Sequence, residues 1–139
     1  MNRLSKSKYN SKKCIYKGIK FDSKMEMEYY KYLLEYWRPE EIILQPSFTL
    51  QKAFIDSRGK KQRAILYKSD FQLPDGSVID VKGFETADFK IKKKLFLYKF
   101  AMKLYCITKA PKYTGKEWIE LDELKKVRKE RKLCKDIQD

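Results

Sequence analysis

The chain has 139 residues, 42% of them hydrophobic and 14% aromatic, enough for one domain with a packed core and too few for two ordinary ones. Lysine and arginine outnumber the acids 33 to 19, a formal charge of +14 that points to a polyanionic partner, nucleic acid ahead of an anionic membrane surface. No apolar run is long enough to cross a bilayer, no signal-peptide pattern is visible, and the lack of any histidine excludes mechanisms built on an imidazole base.

Residues 1 to 13 read as a basic polar arm, solvated and able to contact phosphate through Lys12 and Lys13. Cys14 to Phe21 suits a short strand or a hairpin around Lys17-Gly18. Ser23-Lys24-Met25-Glu26 is a capping-box pattern that opens a helix, and Arg38-Pro39 closes it. Helical periodicity puts Glu26 on the apolar stripe of Tyr30, Leu33 and Trp37, while Glu28 falls with Lys24, Lys31 and Glu35 on the polar face. Glu26 therefore has two readings, a partner for the Ser23 amide or a functional carboxylate, and its stripe makes it a better candidate than Glu28.

Ile42 to Leu50 reads as a strand in which Pro46 marks an edge or a bend. Asp56 to Lys61 is a turn, Arg63 to Leu73 a long strand, and Val78 to Lys82 its hairpin partner across Pro74-Asp75-Gly76. Proline presets the first central position, Asp tolerates the second, and glycine takes the left-handed residue of a three-residue loop with a G1 bulge. Counting outward from Leu73 opposite Ser77 places Asp70 opposite Asp80 and Lys68 opposite Lys82.

Thr86 is the expected N-cap of a helix from Ala87 to Lys103, and Leu104 to Lys109 the expected strand after it. Strand, helix and strand at this spacing form a crossover, so the last strand should run parallel to Val78–Lys82. The lysines of that helix are a solvated face or phosphate contacts, with Lys90, Lys93 and Lys94 the candidates, alongside Lys68. Asp122 should cap a final basic helix over residues 123–135, with Leu124, Val127, Cys134 and Ile137 as a thin apolar stripe. The expected organisation is the arm, one α/β domain over residues 14–121 around a mixed sheet, and the helix of residues 122–139 packed on it.

Two opposed aspartates repel unless something offsets their charge, as a divalent cation would. Mg²⁺ or Mn²⁺ accepts one or two carboxylates plus waters and phosphate oxygens, and activates water for phosphodiester hydrolysis. Asp70 and Asp80 supply the pair, the Val81 backbone carbonyl and Glu26 are further ligands, and Lys82 shares the Asp80 face where it can orient or deprotonate water. The competing reading is a surface hairpin whose aspartates pair with Lys68 and Lys82. Cys14, Cys106 and Cys134 lack zinc-ligand spacing and fit a reducing, cytoplasmic setting.

The arrangement resembles the PD-(D/E)XK nuclease superfamily. It is most similar to small phage and prophage proteins regarded as Holliday-junction-resolvase-like. The similarity rests on Lys17 to Glu28, Leu44-Gln45-Pro46-Ser47-Phe48, Lys68-Ser69-Asp70-Phe71, Asp80-Val81-Lys82-Gly83-Phe84 and Lys92 to Phe96. It implies a restriction-endonuclease-like α-β-β-β-α-β core, with Asp70 as the first motif acid, Asp80 at the (D/E) position, Lys82 as the lysine and Glu26 or Glu28 as the helical glutamate. Ser69 replaces the usual proline before the first acid. The implied activity is metal-dependent cleavage of branched DNA such as a four-way junction by a homodimer, since paired incisions need two active sites. The alternative is a nucleic-acid-binding protein that kept the fold without cleaving.

Overall fold

The computed structural model describes residues 13–138, so Lys12 lies outside the described residues. The chain forms two compact units, Met1–Trp37 and Arg38–Asp139.

In the first unit, β1 (Cys14–Tyr16) and β2 (Ile19–Phe21) pair as the expected hairpin, Cys14 opposite Phe21. Its two-residue turn needs positive φ at both positions, and Lys17 (49°) and Gly18 (77°) provide them. Helix α1 (Lys24–Leu33) starts where the Ser23 hydroxyl accepts the Glu26 amide at 3.1 Å. Tyr29, Tyr30 and Leu33 are its buried residues, and Tyr30 packs against Phe21 and Tyr16 with ring centroids 5.2 and 6.4 Å apart. The helix stops five residues short of Arg38, because residues 34–36 close as a turn with bonds such as Glu35 N–H to the Tyr32 carbonyl (3.1 Å).

The second unit contains a five-stranded mixed sheet ordered β11-β10-β9-β8-β3, with β3 (Ile43–Leu44), β8 (Phe71–Gln72), β9 (Val78–Val81), β10 (Leu104–Lys109) and β11 (Trp118–Glu120). The crossover is as expected, since β9 and β10 run parallel with Asp80 beside Cys106. Its helix α2 (Ala87–Lys99) is capped by the Thr86 hydroxyl accepting the Phe89 amide at 3.1 Å, and ends at Lys99 rather than Lys103. Helix α3 (Leu121–Gln138) follows β11 directly, so Asp122 lies within its first turn and is not its cap. The β11 strand had no counterpart in the sequence reading.

Neither long strand is continuous. Ile42–Leu50 breaks into β3 and β4 (Ser47–Gln51) at Gln45-Pro46, where Gln45 takes a left-handed φ of 48°. Arg63–Leu73 breaks into β7 (Ile65–Lys68) and β8 at Ser69-Asp70. The two breaks face each other across one unshifted register: Leu44 pairs with Phe71 and Ser47 with Lys68, while Gln45 donates to the Asp70 carbonyl and Ser69 to the Pro46 carbonyl (2.9 and 3.1 Å). Pro46 bends one strand, and the paired strand bends with it. Lys68 therefore lies opposite Ser47 in the separate β4-β7 ladder, not opposite Lys82.

The stretch read as a plain turn is a second small hairpin, β5 (Phe54–Ile55) with β6 (Lys61–Gln62). Asp56 organises it by accepting the Gln62 side-chain amide at 3.0 Å and the Lys60 and Arg58 backbone amides at 3.0 and 2.9 Å; the Gln62 bond first, then the two amides, hold its carboxyl below the usual range. The core of this unit lies between the sheet and α2, where Val78 and Phe96 are fully buried among Leu50, Tyr67, Phe89, Leu104, Cys106 and Leu121. Among the described residues no helix is long and apolar enough to cross a membrane.

Candidate active site

The turn before the site is the expected three-residue loop. Leu73 N–H meets the Ser77 carbonyl at 3.0 Å, Gly76 N–H meets the Leu73 carbonyl at 2.9 Å, and Gly76 has a φ of 87°. Asp75 fixes it by accepting the Ser77 amide at 2.9 Å. The ladder then runs as counted, Gln72 with Val78 and Phe71 with Ile79.

At Asp70 the ladder changes. Its amide donates to the Ile79 carbonyl (3.1 Å), although Ile79 already pairs with Phe71. Two residues of one strand thus face one of the other, a bulge at the point where the chain bends away into β7. Val81 loses the backbone partner a regular ladder would have given its N–H. The Asp70 Oδ2 takes that place, accepting the Val81 amide at 2.7 Å. The carboxylate is thereby held at the edge of β9 by a charge-assisted bond. The N–H and C=O of a strand residue point to the same side, so the Val81 carbonyl also faces Asp70, while Lys82 N–H turns to the Ile107 carbonyl of β10 (2.9 Å).

Asp80 points to the sheet face covered by α2. It is 7% exposed, and its Oδ2 accepts the Tyr67 hydroxyl at 2.6 Å and lies 3.4 Å from Lys82 Nζ. The Lys82 ammonium lies 3.2 Å from the centroid of the Phe89 ring, so a residue of α2 sets its position. Tyr67 is raised above the usual phenol range, first by burial, then by the charge of Asp80 and its hydrogen bond, with Asp70 adding a smaller electrostatic push. Both carboxylates therefore act on one buried hydroxyl. Cys106, the strand neighbour of Asp80, is pushed up to about 12, chiefly by burial, so it is a neutral thiol here and not a thiolate nucleophile.

The structure brings Asp70, Asp80, Val81 and Lys82 together around the mouth of the bend. Glu26 is half-buried on α1 of the first unit, its amide bound to the Ser23 hydroxyl. Among the described residues no group of three His, Cys, Asp or Glu side chains is arranged to hold a metal ion. A two-carboxylate set nevertheless meets the demands of Mg²⁺ or Mn²⁺. Each aspartate uses Oδ2 in the bonds above and carries a second oxygen, and the carbonyl of Val81 faces the same side.

Of the lysines proposed for nucleic acid, Lys13, Lys68, Lys90 and Lys94 are exposed. Lys93 is 19% exposed and lies 3.2 Å from the buried Glu85 carboxylate and 3.8 Å from Asp122, so its charge is already engaged within the fold. Lys90 and Lys94 line a shallow groove of about 210 Å³ with that pair and Leu97.

Sequence reasoning missed Tyr67 and Phe89, which position Asp80 and Lys82. The available signal for Tyr67 was Pro46: a bend there implies a bend in the paired strand, which carries Tyr67 out of the β8 line and over Asp80.

Residues 6–115 match the family model described as "Protein of unknown function (DUF1064)", and the chain belongs to that family. No curated protein and no solved structure matches it.

Proposed function

We propose that this DUF1064 chain is a metal-dependent endonuclease of the PD-(D/E)XK kind that hydrolyses phosphodiester bonds in DNA, with branched junctions as its preferred substrate. The observation that carries the reading is the Asp70 carboxylate standing in for a backbone acceptor on Val81 N–H, beside Asp80 and Lys82. A purely structural hairpin has no need to place two acids and an ammonium at one bend. Exposed aspartate–lysine pairs on a hairpin are common, but Asp80 is buried and hydrogen-bonded to a buried tyrosine.

Asp70, Asp80 and the Val81 carbonyl would hold the cation. A bound Mg²⁺ or Mn²⁺ supplies a Lewis acid for the phosphoryl oxygens and lowers the pKa of a ligated water. The protein's own part is positional. Val81 N–H fixes one carboxylate, the Tyr67 hydroxyl orients the other, and Phe89 holds Lys82 where its ammonium can orient an attacking water or stabilise developing negative charge. The +14 charge, with Lys68, Lys90 and Lys94 exposed, suits a DNA backbone and makes binding strongly salt-dependent.

Two incisions across a junction call for two such sites. The exposed apolar row Ile91, Leu95 and Tyr98, spaced i, i+4, i+7 on α2, supports a homodimer through that face.

The test is to incubate the protein with four-way junctions, flaps and linear duplex, with Mg²⁺, Mn²⁺ or EDTA. Junction cutting that needs metal and is lost in Asp80→Asn, with DNA binding retained, is the expected result. Cutting of all three substrates at equal rates removes the junction preference. No cutting under any metal, with binding unaffected by Asp80→Asn, leaves a nucleic-acid-binding protein instead.

A further inference from the structure

Helix α3 changes character along a single face. Its first turns are anchored by Leu121 and Leu124, both buried. Continuing at helical spacing, the same stripe carries Arg128, Arg131, Lys132 and Lys135. The apolar stripe expected from the sequence does not continue along the helix, since Cys134 is exposed and Ile137 is 83% exposed. The side that docks the helix thus becomes cationic where the helix extends onward.

Those four cations and Tyr113 line a groove of about 300 Å³, and among the described residues no carboxylate lines it. Glu130 and Asp136, the acids adjacent in sequence to Arg131 and Lys135, do not line it. Tyr113 belongs to the 3-10 turn Lys112–Thr114 between β10 and β11, and the Arg131 guanidinium lies 3.4 Å from its ring centroid. A guanidinium in contact with an aromatic face is partly immobilised before any ligand arrives, and its N–H donors stay in its own plane, suited to bidentate phosphate oxygens.

We propose that this groove is a clamp for the phosphodiester backbone of DNA, a second contact site separate from the Asp70–Asp80 bend. A second copy of the same face is disfavoured, because four cations would meet four cations. The four cations, Arg128 to Lys135, lie beyond the family match, which covers residues 6–115. The proposal rests on DNA being the substrate class argued above, and does not depend on cleavage.

The experiment is fluorescence anisotropy with a labelled DNA duplex in EDTA, so that binding is read without hydrolysis, over a series of KCl concentrations. The triple variant Arg128→Ala/Lys132→Ala/Lys135→Ala should bind ~10- to 100-fold more weakly, with a salt slope shallower by about 2 to 3. Tyr113→Ala should weaken binding ~3-fold through a less constrained Arg131, and Tyr113→Phe, which keeps the ring face, should bind like the parent. The control Lys126→Ala/Lys129→Ala removes two charges from α3 outside the groove and should cost clearly less than the triple variant. Far-UV circular dichroism checks that α3 remains helical.

Unchanged affinity in the triple variant overturns the clamp, as does an equal loss in the control, which would reduce the effect to bulk charge. Loss of binding to phosphatidylserine vesicles with DNA binding intact would assign the groove to a membrane surface and also overturn it. The two readings separate cleanly. A chain that cuts nothing in Mg²⁺ yet loses binding in the triple variant keeps the clamp and discards the nuclease, and active cleavage with an unaffected triple variant does the reverse.

Discussion

The Tyr67 hydroxyl donates to Asp80 Oδ2 at 2.6 Å, across the bend that separates β7 from β8. Burial and the adjacent negative charge keep the phenol protonated, so it stays a donor throughout the working pH range. Tyr67→Phe retains the ring that packs against Phe96 and Phe48 and removes only this bond. The expected loss is about 1.5–3 kcal/mol in urea denaturation, the range for a hydrogen bond to a charged partner. Cleavage should fall ~10-fold or more, as when an orienting partner of a ligand is removed. Parent-like stability together with parent-like cleavage would show that the bond positions nothing.

Asp70 has two separable tasks. Its oxygen satisfies the Val81 amide, and its charge is available to a cation. Asp70→Asn keeps an acceptor for the amide, so stability should stay within ~1 kcal/mol of the parent while cleavage drops ~100-fold or more. Asp70→Ala loses both, leaving a buried N–H without its partner at a cost of about 1–3 kcal/mol. Equal stability of the two variants in parallel denaturation curves would mean that the carboxylate does not stand in for a ladder acceptor.

Much of the site was legible because its parts are local. Pro74-Asp75-Gly76 specifies one loop, and a loop of known length sets the register out to Phe71. The crossover was legible for the same reason, as Thr86 caps α2 and the short apolar run Leu104 to Ile107 follows it. What failed is non-local. Whether Arg63–Leu73 bends is decided by Pro46 on a different strand, and the bulge at Asp70 follows from that bend. Lys68 leaves the Lys82 side for the same reason. The ring under Lys82 and the carboxylate on Lys93 come from tertiary packing, on which spacing is silent. Trp118–Glu120 is only three residues long, too short for an alternation to register, and is specified by pairing with Ile107–Lys109.

Ser69 has a buried hydroxyl with no hydrogen-bond partner among the described residues and is 1% exposed. Its amide is used, donating to the Pro46 carbonyl across the bend at 3.1 Å. Ser69→Ala removes the unsatisfied oxygen and should leave stability unchanged or raise it by up to ~1 kcal/mol. Ser69→Pro removes the amide donor instead and should cost about 1–3 kcal/mol. Thermal denaturation of the pair decides the matter. A destabilised alanine variant would mean that the hydroxyl is satisfied in solution, and a proline variant as stable as the parent would mean that the 3.1 Å bond contributes nothing.

Alkaline pH offers a test of the first unit. Tyr29 on α1 is pushed up to about 12 from 10.0, first by burial and then by the charge of Tyr32 once that ring ionises. A phenol is neutral when protonated, so the folded state binds this proton more tightly than the unfolded state does. The stabilisation is fully present below pH 10 and is lost as pH climbs from about 10 toward 12, at up to ~1.4 kcal/mol per pH unit for one proton. Tyr29→Phe removes that proton, so its denaturation midpoint should fall less steeply with pH over the same interval. Absorbance at the phenolate band follows the ionisation directly. The late-titrating amplitude should shrink in Tyr29→Phe. An unchanged late phase in Tyr29→Phe would place the buried phenol elsewhere.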